Sequence, residues 1–360
     1  MTIANRIKPA ARQEITVRGA GVFGLAIGFE CARRGAKVRV IETTRIGAGS
    51  SGGHVGALAP HVPENWNPKK AFQLESLLMA QAFWDSVRDI GGGDAGYGRV
   101  GRVQPLKDEA AIELARARGE SAKALWQDHA VWEIREAREF GAFTPPSATG
   151  LVIFDTLSAR AAPRAAAQAL ALGICALGGE VLIGDHADRG TVIHATGAAG
   201  LDDLTQAFGK TVGQGIKGQS ALLDGRAIAG LRDAPQVYTG SLHIIAHADG
   251  TIAIGSTTER EFEDANSTDE SLETLIETAR VLCPAIADAP VIDRWAGARP
   301  RAKTRAPMLG AWPDRAGHFI ANGGFKIGFG MAPKIAQVMA DLVLDGVDQI
   351  PEGFRVTDNL

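Results

Sequence analysis

Residues 15–24 read Ile-Thr-Val-Arg-Gly-Ala-Gly-Val-Phe-Gly, an apolar strand that runs straight into glycines at 19, 21 and 24. Gly28 follows about one helical turn later, and a second apolar stretch, Lys37 to Ile41, ends at Glu42. Few chain geometries satisfy all of these constraints. Gly19 permits a tight turn out of the strand, Gly21 lets a ligand approach bare backbone, and Gly24 lets a helix pack close to the sheet. The helix that opens there points free N–H groups and its positive dipole end at whatever lies beyond the turn, which suits a pyrophosphate. Glu42, 18 residues past Gly24, stands where an acid accepts a ribose hydroxyl. Gly19, Gly21, Val22, Phe23, Gly24, Glu42 and Thr43 are therefore the expected cradle of a dinucleotide.

A chain of 360 residues with 45% hydrophobic and 22% charged residues has the composition of a globular protein with a sizeable core. A formal charge of −3 argues against nucleic acid as the main partner. The three cysteines, Cys31, Cys175 and Cys283, are far apart, and so sparse and odd a count suits a reducing cytoplasm. Cys31 and Cys175 lie in apolar helical patterns, which predicts buried thiols. The first 14 residues show no apolar signal region and read as a loose lead-in. No apolar run is long enough to predict a membrane span.

Further along, Gly47–Gly56 is rich in glycine and serine and precedes an apolar stretch, Ala57–Pro60. Helices are predicted over Lys69–Ile90, Asp108–Asp128, Pro163–Leu177 and residues 268–282. A last helix is predicted over Pro333–Leu344, with Pro333 at its start. Val181–Ile183 and Thr191–His194 read as strands. The second ends in Ala195-Thr196-Gly197, which brings the chain back to the first sheet at Thr196 and Gly197. Residues 216–257 alternate with the strand period, and Asp249-Gly250 signals a hairpin. The fold class is α/β: a Rossmann-like cofactor domain interleaved with an α+β substrate domain on an antiparallel sheet. The expected boundaries give 1–85, 145–215 and 290–360 to the cofactor domain and 86–144 and 216–289 to the substrate domain.

Several blocks carry a further pattern: Lys217-Gly218-Gln219, Ile254-Gly255-Ser256-Thr257, Trp295-Ala296-Gly297-Ala298-Arg299-Pro300, and Ala321–Pro333 (ANGGFKIGFGMAP). In order and spacing they resemble the flavin-dependent D-amino-acid oxidase superfamily, in particular its glycine oxidase and sarcosine oxidase branch. The resemblance spans nearly the whole chain and implies FAD. The residues agree with it. A flavin gains negative charge at its pyrimidine end on reduction, and a glycine loop before a C-terminal helix supplies N–H groups and a positive dipole end to meet that charge. Gly324, Lys326, Ile327, Gly328, Phe329, Gly330 and Met331 are the expected contributors. By the same resemblance, Gly47–Leu58 runs along the pyrophosphate and ring, which assigns Ser50, Ser51, His54, Gly56, Ala57 and Leu58 to the cofactor. No cysteine lies where sarcosine oxidases attach flavin, so the FAD is expected to be non-covalent.

On the substrate side, Arg299 matches the family arginine that grips a substrate carboxylate and also stands near the flavin. A planar guanidinium suits that task through two parallel hydrogen bonds. Trp295 is a candidate pocket wall. The chain departs from glycine oxidases at three positions: Lys326 replaces a second arginine, His243 a tyrosine, and His247 another basic residue. Arg299, Lys326 and His243 are the expected catalytic residues. The expected activity is oxidation of an amine or amino acid by hydride transfer to FAD, with oxygen as acceptor and hydrogen peroxide as product. Two alternatives stay open, a dehydrogenase passing electrons to a quinone or carrier protein and a non-catalytic FAD-binding protein. A tRNA-modifying amine oxidase is disfavoured by the acidic balance. An oligomer is possible.

Overall fold

The computed structural model describes residues 13–240 and 242–360. Most of the expected N-terminal lead-in, residues 1–12, lies outside the described residues, and Glu14 already belongs to the first strand. Two large sheets organise the molecule. One has six strands in the order Met308–Ala311, His318–Asn322, Thr191–His194, Glu14–Arg18, Lys37–Glu42, Glu180–Ile183. All neighbours are parallel except the first pair. The other has eight strands: Val291–Ala302, Gly213–Asp224, Thr251–Gly255, Leu242–Ala246, Gln236–Thr239, Arg102–Pro105, Leu151–Asp155 and Trp132–Glu136. Its neighbours are antiparallel apart from one parallel pair. This is the expected fold class.

The first helix, Val22–Arg33, is buried along Val22–Ala32. A helix apolar on all sides belongs in a core, and this one packs against helices Pro163–Ala176 and Gly328–Ala340. The helix Pro68–Gly91 starts on Asn67, whose side chain accepts from the Lys70 N–H at 3.1 Å, and ends on Gly92 at φ 71°. Those are an Asx cap and a left-handed C-cap.

The eight-stranded sheet follows the two-residue period. Ala221, Val237 and Ile244 join Leu272, Ile276 and Ala279 of helix Glu270–Leu282 in one apolar cluster. Their chain neighbours Ser220, Tyr238 and His243 face the other side, where they line a cavity. Strand alternation alone therefore aims these three at a common space.

Three expectations are corrected. Cys175 is exposed, because its helix buries the flank that carries Ala167, Leu170 and Ile174. The last helix begins at Gly328, and Pro333 is its sixth residue. The loop ends at Ile327, so Gly328 and Gly330, expected to precede the helix, lie in its first turn, while Gly323 and Gly324 do precede it. Strands Leu151–Asp155 and Val291–Ala302 fall in ranges read as cofactor domain, yet they hydrogen-bond within the eight-stranded sheet. We propose that the chain crosses between the two regions after Asp155 and after Ala302.

Candidate functional site

A cavity of about 270 Å³ lies at the C-terminal ends of the six-stranded sheet's parallel strands. The glycines around it behave as their spacing requires. Gly19 has φ +105°, and a Cβ there would stand 2.3 Å from the Ala195 carbonyl oxygen. A Cβ on Gly24 would stand 2.0 Å from the Gly19 oxygen, so strand and helix meet at backbone distance. At Gly21 nothing is closer than Ser51 Oγ, at 3.4 Å. Its bare backbone faces open cavity at the start of a helix with no side-chain cap.

The loop around this turn is tied by side chains. Glu42 accepts from the Ala20 N–H at 3.0 Å and the Thr44 N–H at 3.1 Å. The Val22 N–H donates to Ser51 Oγ at 2.9 Å. Glu42 and Thr43 still line the cavity, with Ser50, Ser51, Thr196, Gly197, Gly324 and Gly328. Bare backbone, an open helix N-terminus and an acid at the second strand's end form a cradle that fits the two phosphates and ribose of a dinucleotide. Arg18, Asp203, Asn322 and Phe325 also line it. Sequence reasoning missed them although Arg18 belongs to the strand–turn run 15–24 and Asn322 and Phe325 to the block Ala321–Pro333; only Asp203 stands outside a recognised block.

A second cavity, about 160 Å³, shares Val22, Ser50, Ser51, Phe325 and Gly328 with the first. Arg299, Lys326, His243, His54, Ala57 and Phe329 of the expected set line it, as does Trp295. Gly24, Gly56, Leu58, Ile327, Gly330 and Met331 line neither cavity. Leu58, Gly330 and Met331 are buried in packing. The Met331 N–H, expected to face the flavin, donates instead to the Ile327 oxygen at 3.0 Å within its helix.

Arg299 is 7% exposed. Its Nη2 donates to the carbonyls of Lys217 (3.2 Å) and Thr257 (2.6 Å), and its Nη1 to Ser256 Oγ. Nε has no partner. A guanidinium carries five N–H groups, so both protons of Nη2 are committed to backbone, and the expected two-pronged clamp is not free. Burial lowers this guanidinium to about 10, against the pull of Glu259. Gly218 makes the placement possible, since a Cβ there would lie 2.1 Å from Nη2.

Lys326 stands at the cavity mouth with an exposed stem. One ammonium proton goes to Thr258 Oγ1 at 2.7 Å. Partial desolvation, then the charge of Arg299, lowers it to about 8.

His243 is neutral: desolvation, with the charges of Arg102 and Lys326, pushes it down to about 3. Its Nδ1 is unpartnered, and its ring lies 4.6 Å from that of Tyr238, its cross-strand partner. The tyrosine thought to be replaced by His243 thus has a counterpart in the cavity wall. The available signal was that Tyr238 is one of only two tyrosines and follows an apolar strand residue, Val237.

His54 is fixed between Asp293 (Nε2 to Oδ2, 3.1 Å) and Ser220 (Nδ1 to Oγ, 3.2 Å). His247 does not reach the cavity lining; its Nε2 donates to the His54 carbonyl at 3.0 Å. Trp295 lies over Gly297 and Gly53, whose added Cβ atoms would meet its ring at 2.4 and 3.2 Å.

A dinucleotide cradle opening into a cationic, acid-free side chamber defines a flavin-type oxidoreductase. The comparisons agree: the FAD dependent oxidoreductase (DAO) family model matches residues 14–342, and the chain belongs to that family. It is 27% identical to a glycine oxidase of Geobacillus kaustophilus, over 92% of this chain and 93% of the relative. It is also 27% identical to a glycine oxidase of Pseudomonas aeruginosa, over 92% and 94%. The crystal structure of the Geobacillus kaustophilus glycine oxidase superposes with a TM-score of 0.81 at 21% identity, covering 96% of this chain and 98% of that one. An iminodiacetate oxidase from Chelativorans gives 0.81 at 20% identity, covering 95% and 98%. The chain is therefore an FAD-dependent oxidoreductase, glycine oxidase-like. No helix among the described residues is long and apolar enough to cross a membrane.

Proposed function

We propose that this enzyme oxidises the C–N bond of an amino acid or related amine, with molecular oxygen as the electron acceptor. Amine, oxygen and water would yield a keto acid or aldehyde, ammonia or a smaller amine, and hydrogen peroxide. FAD supplies the two-electron acceptor for the hydride leaving the α-carbon. The residues of the chain position the substrate, which suffices for chemistry that needs orientation more than a strong base. Lys326, with two ammonium protons uncommitted, takes the substrate carboxylate. Arg299 adds its charge and its free Nε–H from the buried side. The neutral imidazole of His243 accepts a hydrogen bond that orients the substrate nitrogen, while the positive charges of Lys326 and Arg299 disfavour a substrate ammonium and so favour the unprotonated amine that can release hydride, its proton going to solvent. Trp295 and Phe329 close the sides.

The observation that carries this reading is the shared wall: Val22, Ser50, Ser51, Phe325 and Gly328 border both the cofactor cavity and the cationic chamber. A ligand in one chamber would lie against the same residues as a ligand in the other. Three free cysteines suit a reducing cytoplasm as the site of action. The test is anaerobic stopped-flow bleaching of the flavin by glycine, sarcosine and D- and L-amino acids, followed by admission of oxygen. Bleaching with stoichiometric peroxide supports the oxidase. Bleaching with slow reoxidation, rapid only with a quinone, moves the chain to the dehydrogenases. No bleaching by any amine removes the reading.

A further inference from the structure

Phe325, at φ +42°, is ringed by cations. Arg299 Cζ and Arg301 Cζ each lie 5.7 Å from its ring centroid, and Lys326 Nζ lies 5.8 Å away. Arg301 also feels the positive charges of Arg305 and Arg260. The acids nearby are occupied. Glu259 and Asp269 sit 3.5 and 3.3 Å from the buried Lys217 ammonium, and Asp155 pairs with Arg102 at 2.9 Å. Asp293 holds His54 and Arg164. No Asp or Glu lines the chamber, and among the described residues neither Lys326 nor Arg301 has a carboxylate partner.

Like charges gathered in a partly desolvated space repel one another, and the repulsion is relieved only by anions of matching number. A zwitterionic amino acid brings no net charge, and one with an unprotonated amine brings a single negative charge. Glu259 and Asp269 together offset Lys217 and one further charge, Glu259 acting on Arg299, and neither form of the substrate balances the two positive charges that remain.

We propose that the preferred substrate carries two acidic groups beside its reacting nitrogen, one held by Lys326 and Arg299 and the other drawn to Arg301 across Phe325. The substrate class is an aminodicarboxylate or an N-carboxyalkyl amino acid. This inference rests on the amine-oxidation reading above and narrows it. The exposed Lys326 and the half-buried Arg301, which lies behind Phe325 and lines neither cavity, would also steer such a dianion toward the chamber, a rate effect that salt suppresses.

The test uses the FAD-loaded enzyme and pairs of compounds differing by one carboxylate: sarcosine with iminodiacetate, and each enantiomer of alanine with the same enantiomer of aspartate. Flavin bleaching gives kcat/KM for each. A preference of tenfold or more for the diacid in at least one pair supports the proposal, as does a steeper loss of its rate with added salt. A second measurement needs no turnover: absorbance titration of the bound flavin with acetate against malonate, and propionate against succinate. Tighter binding of the dicarboxylates is expected, and Arg301→Gln should reduce their advantage about tenfold. If monoacids match or exceed diacids in every pair and both titrations, the inference is overturned while amine oxidation stands. An unchanged advantage in Arg301→Gln overturns the placement of the second acid. Bleaching by no compound overturns both readings together.

Discussion

The two cavities share five wall residues yet are built by opposite means. The larger is a backbone site. Its shape comes from missing side chains at Gly19, Gly21 and Gly24, and from a helix N-terminus whose own cap position is a glycine and whose Val22 N–H is met by Ser51 Oγ. The smaller is a side-chain site, whose cations and rings arrive from five strands or loops and meet through strand alternation. Backbone recognition is local and rigid, and a single Cβ abolishes it. Side-chain recognition is distributed, so each group is replaceable by degrees. Substitutions in the first region should act as all-or-none changes in cofactor retention, and those in the second as graded changes in affinity.

The largest effect is expected at Gly19. Gly19→Val places a branched Cβ at φ +105°, 2.3 Å from the Ala195 oxygen. Backbone strain of about 1–3 kcal/mol joins overpacking of about 1–3 kcal/mol. The purified variant should lack visible flavin absorbance and melt at lower temperature. A yellow Gly19→Val protein with native melting would break the backbone half of the comparison. Glu42→Ala comes next. It removes a charged acceptor from two backbone N–H groups as well as from any ribose hydroxyl, a loss of about 1.5–3 kcal/mol for each charged hydrogen bond. FAD should dissociate at least tenfold more readily, measured by fluorescence of released flavin. Unchanged retention would show that the turn holds without it.

In the second region, Lys326→Met should weaken binding of a simple carboxylate by roughly tenfold or more, on the loss of one charge-assisted bond of about 1.5–3 kcal/mol. Arg299→Gln should weaken it less, because two of its three protein hydrogen bonds hold backbone carbonyls and not a ligand. The titration is by flavin absorbance. The reverse order would mean that Arg299 turns outward on binding, and that the committed Nη2 is no guide to the liganded state.

That order is the part of the site least legible in the sequence. Glycine spacing announced the cofactor cavity because each glycine acts on residues a few positions away. Arg299 was legible as a cation near the site, but its competitors, the Lys217 and Thr257 carbonyls, are 82 and 42 positions distant. Only the pairing of the strands that hold Lys217 and Arg299 brings the first of them near. Tyr238 went unseen for a related reason. Its partnership with His243 depends on a hairpin register, not on either residue's own neighbours. The start of the last helix was misplaced by a local rule applied too strictly. Proline favours a helix's first position, yet Pro333 is accommodated one turn further in, where a single intrahelical hydrogen bond is lost.

The smallest effect should come from Thr258→Val, and it discriminates best between charge and mere shape. The Thr258 hydroxyl accepts from Lys326 Nζ at 2.7 Å, so it stabilises the protonated amine. In the unliganded enzyme Lys326 lies at about 8. Carboxylate affinity should therefore be high and level below that pH, and should fall as pH rises through it, because the anion needs the charged form. Removing the hydroxyl takes away a hydrogen bond of about 1.5–3 kcal/mol in a charged pair, reduced because the ammonium stem is exposed to screening solvent. The expected result is only a few-fold loss of affinity at pH 6, together with a fall in the pH at which affinity begins to decline. Lys326→Met should show no such decline at all. If wild type, Thr258→Val and Lys326→Met share one pH profile, the titrating group is not Lys326, and the carboxylate is held by something other than the mouth of the chamber.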